Sequence, residues 1–287
     1  MINEFKITHT LNYSYSDNIF LEPHQIRLVP RDDSFCRLRD YQVKVTPTPA
    51  GMSEGVSPEG SRMVNIWFDG MARSLSIKVC STVEMKPSNP FNFLIYPPFA
   101  QRLPIVFPPE FRVGLTEYLD LDNVSTEVQE WAEKIAMASG RDTVSFLTRL
   151  CQHVQENFEY EKREDGEAYA PAKLLKLKKG SCRDFAVLCQ AACRDLGLPA
   201  RFASGYMLSD NDAEPAELHA WFEVYLPGVG WKGFDPSHGM ACCEKHITLA
   251  TSSDAGQTSP VVGSFRGTAI SKIDFSLDVQ PTQKPVF

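Results

Sequence analysis

From Lys6 to Glu84, apolar and polar positions alternate in short runs. The segments FKITHTLNYSYSD, HQIRLVP, RDYQVKVTP, MVNIWFD and LSIKVCSTVEM are rich in β-branched and aromatic residues, with proline, glycine and acidic clusters between them. A period of two broken by turn residues predicts several short strands, and hence a β-sandwich over residues 1–85. Residues 86–111, KPSNPFNFLIYPPFAQRLPIVFPPEF, hold too much proline for a helix or a central strand and too many aromatics for a flexible linker. They are expected to form an ordered connection packed along an interface.

After this connection the period changes to 3.6. VSTEVQEWAEKIAMAS (124–139) places Val128, Trp131, Ile135 and Ala138 at helical spacing behind Ser125, and DTVSFLTRLCQHVQENFEY (142–160) reads as a second helix capped by Asp142. APAKLLKLKK (170–179) predicts a short helix ended by Gly180, and SCRDFAVLCQAACRDLG (181–197) another ended by Gly197. Strand patterns follow in RFASGYML, ELHAWFEVYL, GWKGFDP and, near the end, SKIDFSLDVQP. Helices followed by antiparallel-looking strands make residues 112–287 a domain of the α+β class.

A length of 287 residues with 43% hydrophobic positions can fill two cores. The formal net charge is −7 and the basic residues are scattered, so neither nucleic acid nor a membrane surface is an expected partner. The N-terminal stretch MINEFKITHTLNYSYSDN has no basic segment leading into an apolar one, and no window reaches the roughly 20 apolar residues of a membrane span. A cytoplasmic protein is therefore expected, with its eight cysteines reduced.

Cys182 opens its helix, where unpaired N–H groups and the macrodipole favour an anion, so a thiolate is the expected form of a nucleophile there. Arg183 either adds positive field or pairs with Asp184, whose own charge opposes a thiolate if it lies close. Cys189 and Cys193 follow on the same helix face and read as packed core thiols. Cys242, Cys243 and His246 form a compact C-C-x-x-H group without the paired spacing of structural zinc, so no metal is expected. No nucleotide-cradling glycine loop and no acidic loop of the EF-hand kind is present, and no cofactor is expected either.

A nucleophile needs a base and a group to orient it. In ELHAWFEVYL, His219, Trp221, Glu223 and Tyr225 share one strand face; the chain then turns at Pro227-Gly228-Val229-Gly230, and Trp231 to Asp235 returns. A loop of three or five residues would put His219 and Asp235 on the same face, whereas a two-residue loop would separate them. The expected constellation is Cys182 as nucleophile, His219 as general base and acid, and Asp235 as the carboxylate that holds the imidazole.

Gly180-Ser181-Cys182-Arg183-Asp184, His219 to Tyr225, and Gly230-Trp231 with Asp235-Pro236 resemble the G-x-C-x-D, H-A-W-x-E-V-Y and G-W-x-x-x-D-P segments of the transglutaminase-like superfamily, in the same order. GLPARFASGYM and HITLATSSD are similar to the stretches between and beyond them. ITHTLNYSYSD, LEPHQIRLVPR and YQVKVTPTP are similar to the β-rich N-terminal region that accompanies bacterial members. The resemblance implies a papain-like fold and thiol acyl transfer by Cys182, His219 and Asp235 on the amides of proteins or peptides, with water or an amine as acceptor. It also implies an oxyanion hole made by the Cys182 N–H and a second donor, for which Tyr160 and Tyr169 are candidates. The competing expectation is a non-catalytic interaction protein that keeps the fold.

Overall fold

The computed structural model describes residues 3–163, 166–208 and 216–282, so the outermost ends of both expected domains lie outside the described residues. The first half contains β1 (Asn3–Leu21), β2 (His24–Ile26), β3 (Cys36–Thr46), β4 (Gly51–Val56), β5 (Arg62–Trp67) and β6 (Met71–Met85). The connection holds a helical turn α1 (Pro109–Arg112), and α2 (Thr126–Ala138) and α3 (Thr143–Asn157) follow. Next come β7 (Glu159–Tyr160), α4 (Pro171–Leu177), β8 (Lys179–Gly180) and α5 (Cys182–Asp195). The chain continues through β9 (Ala200–Met207), β10 (Glu217–Leu226), β11 (Gly230–Asp235), β12 (Met240–Ala241) and β13 (His246–Ser252). It closes with β14 (Val261–Val262), β15 (Phe265–Arg266) and β16 (Ser271–Pro281).

Two antiparallel sheets make the expected sandwich. One runs β15-β1-β6-β3 with β16 also on β1, and the other runs β14-β2-β5-β4. Alternation puts Ile7, Leu11, Ile77 and Val79 of one sheet and Ile26, Val64 and Ile66 of the other into a shared core. The C-terminal segment departs from the expected boundary, since residues 261–281 complete the sandwich rather than the second domain. The reason lies in β1, a 19-residue strand paired to β6 on one edge. Its other edge would expose a long row of unpaired N–H and C=O groups without β16.

The second half is built on a five-stranded antiparallel sheet, β12-β11-β10-β9-β13, with α5 against β9 and β10. α3 starts at Asp142, whose side chain accepts from the Ser145 N–H, and buries Phe146, Leu147, Leu150 and Val154 along one stripe. Each such side chain contributes about 1.5–3 kcal/mol relative to exposure. The proline-rich connection adds Ile95, Leu103, Ile105 and Phe107 to the same core, so it is structural rather than a tether. One helix end differs from the sequence reading. α4 stops at Leu177 with Lys178 in the left-handed region, and Gly180 instead pairs with Tyr160 in a short parallel bridge between β7 and β8.

Candidate active site

The β10–β11 hairpin pairs Leu226 with Gly230, which leaves a three-residue loop and sets the register through Phe222 opposite Phe234. That register puts Asp235 across from Trp221, so His219, two residues before Trp221, shares its face with Asp235. The imidazole Nε2 of His219 lies 2.9 Å from Asp235 Oδ2, and both side chains are buried. The Trp221 ring lies 6.3 Å from that of His219 and stands edge-on to His246 at 5.2 Å. The indole fits because glycines flank it on the neighbouring strands. A Cβ at Gly205 would sit 2.5 Å from the Trp221 ring, and one at Gly233 would sit 3.2 Å from its Nε1.

Asp235 serves more than His219. Its Oδ2 also receives His238 Nδ1 at 2.8 Å and His246 Nε2 at 3.1 Å, while Oδ1 accepts the backbone N–H of Ser237 at 2.8 Å. An ionised carboxylate can only accept, so all three facing imidazole nitrogens carry hydrogens. Burial alone would push the Asp235 carboxyl up; the His219 charge and the three imidazole hydrogen bonds outweigh it and hold the group well below the usual range. His246 accepts the Cys243 N–H on Nδ1 at 3.2 Å, and burial pushes its basicity down. It is therefore a neutral ring with a fixed tautomer. His219 goes the other way: burial disfavours its cation, but Asp235, followed by Cys182, raises it to about 10.

Cys182 reaches this pair from the first turn of α5, packed with Ala186, Phe202 and Ala220. With Nε2 committed to Asp235, the buried Nδ1 of His219 is left without a partner of hydrogen-bond geometry, and the Cys182 thiol is close enough to interact with the ring. The competition between Arg183 and Asp184 resolves in an unexpected way. Asp184 is fully buried and accepts from Ser181 N–H at 2.7 Å, Ser181 Oγ at 2.9 Å, Tyr169 N–H at 2.6 Å and Arg163 Nη2 at 2.8 Å. Its charge is compensated by Arg163, whereas Arg183 reaches the carbonyls of Arg163 and Gly166.

The two tyrosines separate. Tyr160 is pinned beside the helix start, since the Glu159 N–H donates to the Lys178 carbonyl and the Glu161 N–H to that of Gly180, each at 2.8 Å. Its phenol interacts with Cys182, and burial followed by the Cys182 and Glu217 charges pushes its ionisation up. Tyr169 lies between the Arg163 guanidinium and the Lys173 ammonium, 3.9 and 3.7 Å from its ring centre, as a packing group. Cys189 and Cys193 are fully buried, and burial pushes both thiols up. Cys242 packs with Trp221 and Ala203, and the C-C-x-x-H group serves the carboxylate through His246.

His238 and His246 escaped the sequence reading as partners of Asp235. For His238 a local signal exists, since Asp-Pro-Ser-His places donors two and three residues after an Asp in an Asx-type turn. For His246 the approach is non-local. Residues 242–245 carry the chain from β12 at one sheet edge to β13 at the other.

The transglutaminase-like superfamily model matches residues 129–236, which contain Cys182, His219 and Asp235, and the model for the bacterial transglutaminase-like N-terminal region matches residues 5–84. The chain belongs to the transglutaminase-like superfamily. A crystal structure of a candidate cysteine protease from Cytophaga hutchinsonii superposes on this transglutaminase-like chain over 100% of its length and 93% of that protein, with a TM-score of 0.71 at 20% identity. The fold is thus shared from end to end, sandwich included. An uncharacterised protein of Mycobacterium tuberculosis is 25% identical over 295 residues, 97% of this chain and 93% of that one. The mouse kyphoscoliosis peptidase is 27% identical over 95 residues, which cover 31% of this chain and 14% of the peptidase.

Proposed function

We propose that the protein is a thiol acyl-transfer enzyme acting on amides of proteins or peptides, with Cys182, His219 and Asp235 as its catalytic residues. The observation that carries the reading is the buried His219 ring, bound to Asp235 through Nε2 at 2.9 Å, a contact that favours its cation, with its other nitrogen left for the Cys182 thiol. A protonated imidazole beside a thiol at a helix N-terminus favours the thiolate–imidazolium pair.

In this reading the Cys182 Sγ attacks the amide carbonyl, and the C–S bond forms as charge moves to the oxygen. The Cys182 N–H, one of the first-turn donors without an intrahelical partner, and the Tyr160 phenol would receive that charge. His219 Nδ1–H then protonates the leaving amine as the C–N bond breaks, giving a thioester and a neutral ring. Water or an amine next loses a proton to Nδ1 while attacking the thioester, and expulsion of Cys182 restores the ion pair. The candidate cysteine protease and the peptidase among the similar proteins support an amide as the substrate.

The reading is tested by trapping. Incubation with a glutamine-containing peptide, acid quench and peptide mapping should reveal a thioester mass on Cys182 that disappears in His219→Ala. Iodoacetamide should modify Cys182 at pH 6 at least about tenfold faster than Cys189 and Cys193, whose ionisation is opposed by their complete burial. No adduct and no preferential alkylation would hand the lead to the non-catalytic alternative. Tyr160→Phe is expected to lower kcat by about 100-fold, the usual cost of one oxyanion donor. Alkylation of Cys182, which builds no oxyanion, should not slow in that variant, and a parallel loss would remove Tyr160 from the oxyanion hole.

A further inference from the structure

We propose that Glu217 selects a cationic group, an ammonium or a guanidinium, beside the acyl carbon that reacts at Cys182; this rests on the acyl-transfer reading above. Glu217 opens β10 two residues before His219, so strand alternation puts both on one face. Its Oε1 lies 3.6 Å from His219 Nδ1, the nitrogen that faces the reaction. That nitrogen is buried and has no hydrogen-bond partner, whereas the Glu217 side chain is 41% exposed. The carboxylate therefore runs from the reacting imidazole out to solvent and marks the mouth of the site. Tyr160, paired with Gly180 just before the helix that carries Cys182, is likewise exposed.

Charge balance makes Glu217 the unusual group there. Asp235 already compensates His219. Glu159 and Glu161, on either side of Tyr160, share the Lys179 ammonium at 3.1 and 3.5 Å. Asp184 has Arg163. Among the described residues the one ion-pair partner of Glu217 is His219, whose charge Asp235 holds more closely. A surplus carboxylate facing incoming substrate attracts a cation and repels an anion.

Two sources could deliver that cation. One is a side chain of the acyl donor next to the scissile amide. The other is the acceptor itself, arriving as R–NH3+. In that case one proton is released to solvent, the nitrogen attacks the thioester, and the C–N bond forms as the C–S bond breaks. The second proton goes to His219 Nδ1 and restores the ion pair.

The test uses alkylating probes of different charge on the full chain: iodoacetate, iodoacetamide and 2-bromoethylamine, each rate at Cys182 divided by its rate with free cysteine. The wild type should prefer the cationic over the anionic probe by about tenfold at low salt, with the preference fading as salt rises. Glu217→Gln should bring the ratio close to one and Glu217→Lys should invert it. A ratio that persists in Glu217→Gln, while Cys182 stays reactive, overturns the proposal and leaves the acyl-transfer reading intact. A Cys182 that reacts no faster than the other thiols overturns both.

A second pair of measurements separates the sources. Peptide amides with Lys, Ala or Glu next to the reacting residue should rank by KM in the wild type and lose that rank in Glu217→Gln if the donor carries the cation. The partition of the thioester between cadaverine and water should drop in Glu217→Gln if the acceptor carries it. No change in either overturns the assignment.

Discussion

Asp235→Asn is expected to reduce amide turnover by roughly a thousandfold or more, the scale seen when a carboxylate that orients a catalytic imidazole becomes an amide. Oδ2 of Asp235 accepts from three imidazole N–H groups and Oδ1 from the Ser237 N–H. An amide offers a single carbonyl oxygen, so its NH2 must point at N–H donors whichever way it turns. His219 also loses what holds its proton. In the native protein the carboxylate and the thiol raise it to about 10 against the opposing effect of burial. Without that carboxylate, burial is opposed by the thiol alone, and the ring gives up its proton more readily than in the native protein.

The sign gives a second readout. The native imidazolium persists through neutral pH and is lost as pH rises through about 10, so the alkaline limb of activity should lie there. In Asp235→Asn the imidazolium is lost at a lower pH, and rapid Cys182 alkylation in the neutral range should weaken with it. Rate–pH profiles of turnover and of alkylation check both expectations. A variant within tenfold of wild type would show that Asp235 does not orient the imidazole during catalysis.

The hairpin that joins His219 to Asp235 is legible in the sequence because its determinants are local: alternation along ELHAWFEVYL, a Pro-Gly-x-Gly turn and an even separation. The position of Cys182 is legible for the same reason, as Gly180, Ser181 and Asp184 mark a helix start within five residues. What escapes is what long-range closure decides. The alternation in SKIDFSLDVQP fits any open sheet edge, and only the unpaired side of β1, more than 250 residues earlier in the chain, selects it. His246 is invisible as a partner of Asp235 because the two are brought together by a crossing of the whole sheet rather than by spacing. Arg163 is hidden likewise: nothing in the chain order indicates that it, rather than the adjacent Arg183, compensates Asp184. Even the Glu of the H-A-W-x-E-V-Y segment, read from the sequence only as a same-face neighbour of His219, has a role that depends on a residue from the other domain.

That residue, Glu223, carries the second large expectation. It is buried between Arg201 of β9, at 2.6 Å, and Arg31 from the segment after β2, also at 2.6 Å. Arg31 further donates its backbone N–H to the Thr248 carbonyl, so this ion triad clamps the sandwich onto the sheet that carries His219. Burial disfavours the Glu223 anion, but the two guanidinium groups overcome it and lower the acid from 4.5 to about 2. Glu223→Ala should cost about 3–5 kcal/mol of stability, because it leaves the Arg201 cation in the interior without its carboxylate. The folded acid is stronger than the unfolded one, so the triad's contribution is complete above about pH 4.5 and declines as pH falls toward 2. A shift of that size corresponds to roughly 3 kcal/mol at 1.36 kcal/mol per unit. Denaturant midpoints taken at pH 7, 4.5 and 3 should therefore fall less steeply in Glu223→Gln than in wild type, from a lower starting value. Parallel curves would mean that Glu223 is no stronger an acid in the folded chain, and the clamp between sandwich and sheet would then rest on its other contacts, the Arg31 N–H to the Thr248 carbonyl among them.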